Sequence, residues 1–379
     1  MNLYNYIDNY GIYSFEEEEF NEIDAAIFSY LSYANLTSIL GKKALPIKLV
    51  GRKHYSLYKN DNLEVIAVKE ANNLLNYLKD TKRYQDCLLT KYYYEGNSKY
   101  QFGVLAIEFQ KNKVFISYEG TNELISGWKE NFLISVDFPT ITHKEAINFL
   151  NKHYTFSTKK LIIGGHSKGG NLAMVASAYA NPLVKRKIEK IYSFDGPGLK
   201  ENEFNSKKFQ SILSKYNHFI PEYSVFGLIL NNTYDFCIKA STKTILSHNV
   251  PTWEVVETKF KRGKLSLFSK ELKTHITKFL DNCTQKEMYD FIENLDLICE
   301  KAKISSLLDI KKESTKILKI LNESKNLSEN TKNILTEFIE IIIKSLSYSA
   351  NEDIKNFINN IVIKAKQEIK KKINYNETK

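Results

Sequence analysis

Apolar positions recur along the first two-thirds of the chain with two periods that alternate. Residues 21–36 (NEIDAAIFSYLSYANL) put Ile23, Ile27, Tyr30 and Leu31 on one side of a helix, and residues 65–78 read as a second helix. Residues 100–109 and 114–118 are β-rich runs joined by the polar turn Gln110-Lys111-Asn112-Lys113, which predicts two paired strands. A helix over 143–153 precedes the apolar run Leu161-Ile162-Ile163, and an Ala-rich helix over 170–180 follows it. Then come a short strand at 190–194, a helix over 204–216 and a strand at 218–220 stopped by Pro221. Two further strand candidates, 234–240 and 253–256, flank a loop that contains His248. Strands alternating with helices predict a largely parallel sheet covered on both faces.

After about residue 259 the pattern becomes helical, and Lys261-Arg262-Gly263-Lys264 reads as a hinge. Thr284 and Glu287 form a capping box ahead of a helix over 288–302, and Ser328 can cap another over 333–347. Asn351-Glu352-Asp353 opens a last helix whose end carries Lys370-Lys371-Lys372, as the helix dipole favours. Two units are expected: a sheet domain over 1–258 and a C-terminal all-helical region over 265–379. The apolar faces of these helices are expected to pack on one another or on the sheet domain. The alternative is a basic amphipathic surface with weak membrane association.

Composition narrows the function classes. The 379 residues include 43% apolar side chains, enough for a sizeable core. The net charge of +10 is spread along the chain, and no nucleic-acid motif accompanies it, so nucleic-acid binding is not expected. Cys87, Cys237, Cys283 and Cys299 show no C-x-x-C spacing and read as buried free thiols. The histidines show no H-x-x-x-H arrangement, so neither a metal nor another cofactor is expected. Residues 1–15 lack a basic stretch followed by an apolar one, and no apolar run reaches bilayer length, which together predict a cytoplasmic protein.

The candidate chemistry centres on Gly165-His166-Ser167-Lys168-Gly169. This G-x-S-x-G lies between the 161–163 strand and the 170–180 helix, the context in which an α/β-hydrolase lifts its nucleophile above the sheet. The competing reading is a glycine-rich turn whose serine only caps the helix. A serine nucleophile needs a base, and the base needs an orienting group. Downstream, His218 lies within a strand and His275 among the C-terminal helices; His248, in a polar loop before Pro251, is the best base. Asp195 directly follows a strand and is the first choice of acid, with Asp235 and Glu222 as alternatives. Ser167, Asp195 and His248 all follow predicted strands, where catalytic groups of such sheets gather.

Val114 to Asn131 (VFISYEGTNELISGWKEN) is similar to the class 3 lipase segment that runs from an apolar strand through Arg-Gly-Thr to a loop ending in Asp-Trp. Here Glu119-Gly120-Thr121 and Gly127-Trp128 stand at those places. The resemblance implies an oxyanion hole formed by Thr121 and the backbone N–H of Lys168. More closely, NEIDAAIFSYLSY, YEGT…GWKEN, GGHSKGGNLA, YSFDGPGL, IPEYSVFGLIL and SHNVPTWEV resemble, in order, an uncharacterised bacterial lipase-like family related to those lipases. Two departures stand out. The class 3 arginine is Glu119, and Pro221-Glu222-Tyr223-Ser224-Val225 offers Ser224 where those lipases carry their acid. An acid at Asp195 resembles the pancreatic-type arrangement instead. The expected activity is hydrolysis of carboxylic esters, lipid or acyl esters among them, with no cofactor. A hydrolase-fold binding or regulatory protein without turnover is the alternative.

Overall fold

The computed structural model describes residues 1–41, 43–59, 65–96, 100–121, 132–233, 235–302 and 331–337. Its centre is an eight-stranded sheet: β1 (Leu45–Pro46), β2 (Leu88–Gly96), β3 (Gln101–Gln110), β4 (Lys113–Tyr118), β5 (Lys160–His166), β6 (Ile188–Phe194), β7 (Tyr216–Pro221) and β8 (Phe236–Ile238). The strands lie side by side in chain order. β1 to β4 pair antiparallel, whereas β4 to β8 form one parallel block. Helices precede and connect them: α1 (Leu3–Tyr10), α2 (Glu22–Leu31), α3 (Thr37–Leu40), α4 (Ile47–Tyr58), α5 (Ile66–Leu78), α6 (Ile141–Tyr154), α7 (Lys168–Tyr179) and the short α8 (Pro182–Lys185), α9 (Glu201–Phe204) and α10 (Lys207–Gln210). The helix expected over 204–216 is instead broken into α9, α10 and a 3₁₀ turn, and Tyr216 already opens β7.

Side-chain alternation along the strands separates two cores. Phe115, Ile162, Tyr192 and Phe194 face a cluster built with α1, α2 and α5. Val114, Ile116, Leu161, Ile163 and Ile191 face the other way, against α6, α7 and Phe209. In a parallel block laid down in chain order, right-handed crossovers put all connecting helices on one face. The opposite face must be closed by something else, and the N-terminal helices do so. Hence α2 is buried on every side from Ile23 to Leu31, not on the single side that its apolar spacing predicts. Its N-terminus is fixed by a buried ion pair. Arg83 donates from Nε to Asp24 Oδ1 at 2.8 Å and from Nη2 to Oδ2 at 2.6 Å, and Tyr84 adds a third bond to Oδ1 at 2.5 Å. The remaining guanidinium donors reach the carbonyls of Ser14, Glu18 and Glu19, so neither charge is left unpaired.

Beyond β8 the chain adds a two-residue ribbon, β9 (Val255–Val256) with β10 (Lys259–Phe260). The stretch read as a hinge follows the sheet edge: Arg262 bridges to Ile238, and its guanidinium meets Glu22 at 2.8 Å. Then come α11 (Leu267–Asn282) and α12 (Gln285–Ala302), the latter opened by the Thr284–Glu287 capping box. Phe268, Leu272, Ile276, Phe279, Phe291 and Leu295 form a third cluster with Phe132, Val225, Phe226, Ile229 and Ile245. Residues 331–337 are helical, and Ile334 and Leu335 join this cluster. The helices expected over 333–347 and after 351 lie mostly or wholly outside the described residues, as does Gly127-Trp128. No described helix is long and apolar enough to cross a membrane.

Candidate active site

The G-x-S-x-G stretch forms the turn from β5 into α7, with Ser167 as the residue before the helix. Ser167 has φ +57° and ψ −132°, a conformation that non-glycine residues rarely hold and that costs on the order of 1–3 kcal/mol. The two flanking glycines make the turn possible. A Cβ on Gly165 would lie 2.3 Å from the Gly169 carbonyl carbon, and one on Gly169 would lie 2.1 Å from the Tyr118 oxygen. The Ser167 N–H donates to the Phe194 carbonyl at 2.9 Å, which ties the elbow to the end of β6, one residue before Asp195.

Asp195 is fully buried and has φ +52°, a left-handed conformation that aspartate tolerates better than most residues. Its Oδ2 lies 2.6 Å from His248 Nδ1. Its Oδ1 accepts from Ser224 Oγ at 2.5 Å and from the Gly227 N–H at 3.0 Å. The alternative acids are elsewhere. Asp235 is exposed, and the Glu222 carboxylate accepts from the Lys264 N–H at 3.3 Å.

His248 closes a 3₁₀ turn (Ile245–His248) that Thr244 caps and Pro251 follows. Trp253 Nε1 donates to the Ser247 carbonyl at 2.7 Å, and Tyr30 on α2 accepts from the Val250 N–H at 3.0 Å. The imidazole is held between two rings, His166 at 4.4 Å and Phe226 at 4.2 Å between centroids. Phe226 also belongs to the apolar cluster that includes residues of α11 and α12. Among the described residues, no hydrogen bond joins Ser167 Oγ to His248.

Of the two oxyanion candidates, Lys168 is the first residue of α7, where helix geometry leaves the N–H outside the intrahelical ladder. Its side chain donates to the Gln101 carbonyl at 2.7 Å. Thr121 follows Gly120 just past β4, and a Cβ on Gly120 would lie 2.7 Å from the His166 carbonyl oxygen. The other two downstream histidines are occupied elsewhere: buried His218 reaches the Thr233 and Gly196 carbonyls, and exposed His275 the carbonyl of Glu271.

Several supporting groups went unrecognised in the sequence. His143 Nδ1 accepts from the Thr140 N–H, which fixes the proton on Nε2, and Nε2 donates to Asn171 Oδ1 at 2.6 Å. Asn171 Nδ2 then holds the carbonyls of Pro197 and Gly198, fixing the turn after Asp195. Burial pushes His143 down to about 4, so the chain of bonds rests on a neutral ring. Among the described residues, no group of three His, Cys, Asp or Glu side chains could hold a metal ion.

The chain is matched to the "Crystal structure of M37 lipase" at 14% identity and a TM-score of 0.35, over 62% of this chain and 82% of that one. No curated protein matches the chain. Residues 78–296, more than half of the sequence, match the family model described as Mbeg1-like, and the chain belongs to that family.

Proposed function

We propose that the protein is a serine hydrolase acting on carboxylic esters, with Ser167 as nucleophile, His248 as base and Asp195 as its orienting acid. The observation that carries this reading is the 2.6 Å contact between His248 Nδ1 and a fully buried Asp195, beside a serine in a strained elbow. That bond leaves Nε2 of the neutral ring as the acceptor for the serine proton. Contacts between a base and its nucleophile are often long before substrate binds and close in the reacting complex.

In the proposed reaction, Ser167 Oγ attacks the ester carbonyl carbon while its proton passes to His248 Nε2. The oxyanion develops near the Lys168 and Thr121 donors, where fixed dipoles stabilise it without reorganisation. Breaking the C–O bond sends that proton to the departing alcohol and leaves an acyl group on Ser167. Water, deprotonated by His248, then attacks the acyl carbon, and the bond to Ser167 Oγ breaks as His248 returns that proton to Oγ, releasing the acid. Lipid and acyl esters enter this reading through the resemblance of the chain's motifs to those of lipases. Hydrolysis of p-nitrophenyl esters of graded chain length, compared with the matching anilides, tests the reading. Ester turnover that rises with chain length and is absent in Ser167→Ala supports it; a folded protein that hydrolyses none of them favours a binding role.

A further inference from the structure

The hydroxyl of Tyr33, two residues past α2, touches the nucleophile elbow and the chain just past β4. It is 3.0 Å from His166 Nδ1 and 3.3 Å from the His166 carbonyl oxygen. It also lies against the backbone of Gly120, so close that a Cβ on Gly120 would fall 2.0 Å from the phenol oxygen. On the far side of the same imidazole, His166 Nε2 is 2.8 Å from the His248 carbonyl.

The proton positions follow from these partners. A carbonyl only accepts, so Nε2 of His166 carries the hydrogen, and Nδ1 of the neutral ring accepts from the Tyr33 O–H. Burial, reinforced by the nearby His248, holds His166 well below the ordinary histidine range and so keeps it in this neutral form. Burial pushes the Tyr33 phenol up, so it remains a donor. One buried oxygen therefore fixes the strand end before Thr121 and the residue before Ser167. Through one imidazole it also fixes the peptide that carries His248.

We propose that Tyr33 is a positioning residue, setting the mutual placement of the oxyanion segment, the nucleophile and the base, with His166 as its relay. This rests on the hydrolase reading. Tyr33 touches no reacting atom, so its contribution is geometric, and a displacement of about 1 Å in such a centre can lower the rate by about 100-fold.

The test uses the full chain and a fluorophosphonate probe, with kcat and KM for a p-nitrophenyl ester measured in parallel. Tyr33→Phe keeps the ring and removes the hydroxyl. The expected result is a fall of about 10–100-fold in both labelling rate and kcat, with KM within about threefold. Tyr6→Phe removes another buried hydroxyl, one that bonds Asp24 instead of the site, and should label at the wild-type rate. His166→Ala should lose as much as Tyr33→Phe, and His166→Gln, which restores an N–H donor toward the His248 carbonyl, should recover part of it. Wild-type labelling rates in Tyr33→Phe, alongside a Ser167→Ala protein that is never labelled, would overturn the inference and leave the hydrolase reading standing. A wild-type protein that is never labelled would overturn the reading and the inference with it.

Discussion

Ser224 Oγ lies 2.5 Å from Asp195 Oδ1. Ser224, just past β7, thereby holds a carboxylate delivered by the preceding strand, β6. With Ser224 and the Gly227 N–H on Oδ1, the second oxygen of Asp195 is aimed at His248 Nδ1.

This bonding separates the candidate acids by experiment. Asp195→Asn should lower kcat about 10³–10⁴-fold by favouring the wrong histidine tautomer. Ser224→Ala removes one of two bonds that fix Oδ1 and should cost about 10-fold. Glu222→Gln and Asp235→Asn should stay within about threefold of wild type. A large loss at Asp235 with a small one at Asp195 would show that the acid has been misassigned.

A stability prediction comes from the other end of α2. Arg83→Ala strands Asp24 without its charge partner at a fully buried site, which should cost about 3–5 kcal/mol of unfolding free energy. Urea denaturation measures it. A change below about 1 kcal/mol would mean that the Asp24 carboxylate is solvated or neutral in the folded protein.

Acid should also destabilise the fold. The folded-state value of His143 is lowered, so between the ordinary histidine value near 6.5 and about 4 the unfolded chain binds the extra proton. The contribution is therefore full above pH 6.5 and is lost as pH falls toward 4. From His143 alone the loss between pH 7 and pH 5 is about 2 kcal/mol, and buried His166 adds in the same direction. Urea midpoints at the two pH values measure this. In His143→Gln the difference should shrink, and equal midpoints for the wild-type protein would contradict the account.

The C-terminal helices should be removable without destroying the proposed chemistry. Truncation after Lys264 keeps Ser167, Asp195 and His248 but uncovers Val225, Phe226, Ile229 and Ile245. The fragment should lose solubility, since each uncovered large side chain forfeits about 1.5–3 kcal/mol of burial. Whatever remains soluble should still react with a small fluorophosphonate. A folded fragment that no longer reacts would mean that α11 and α12 complete the site.

Much of this architecture was legible because it is local. The elbow glycines, the Thr284–Glu287 box and the strand ends at Ser167 and Asp195 each announce themselves within a few residues. What could not be read are partnerships across the chain. Tyr33 and His166 are 133 residues apart, and Tyr30 and Val250 are 220 apart. Nothing in the pattern of residues 21–36 says that this helix closes the sheet's open face and brings its tyrosines to the elbow. The 204–216 stretch misled for a related reason: its apolar spacing suits a helix, yet Tyr216 is claimed by pairing with Ile191 on β6.

The central claim is that Ser167 is a nucleophile, and covalent capture tests it most directly. The full-length protein is incubated with a fluorophosphonate, its intact mass is recorded, and the modified peptide is sequenced. The account predicts a single adduct on Ser167, absent from a folded Ser167→Ala protein and formed about 10³-fold or more slowly in Asp195→Asn. An adduct on another residue, or equal labelling of Ser167→Ala, would contradict it.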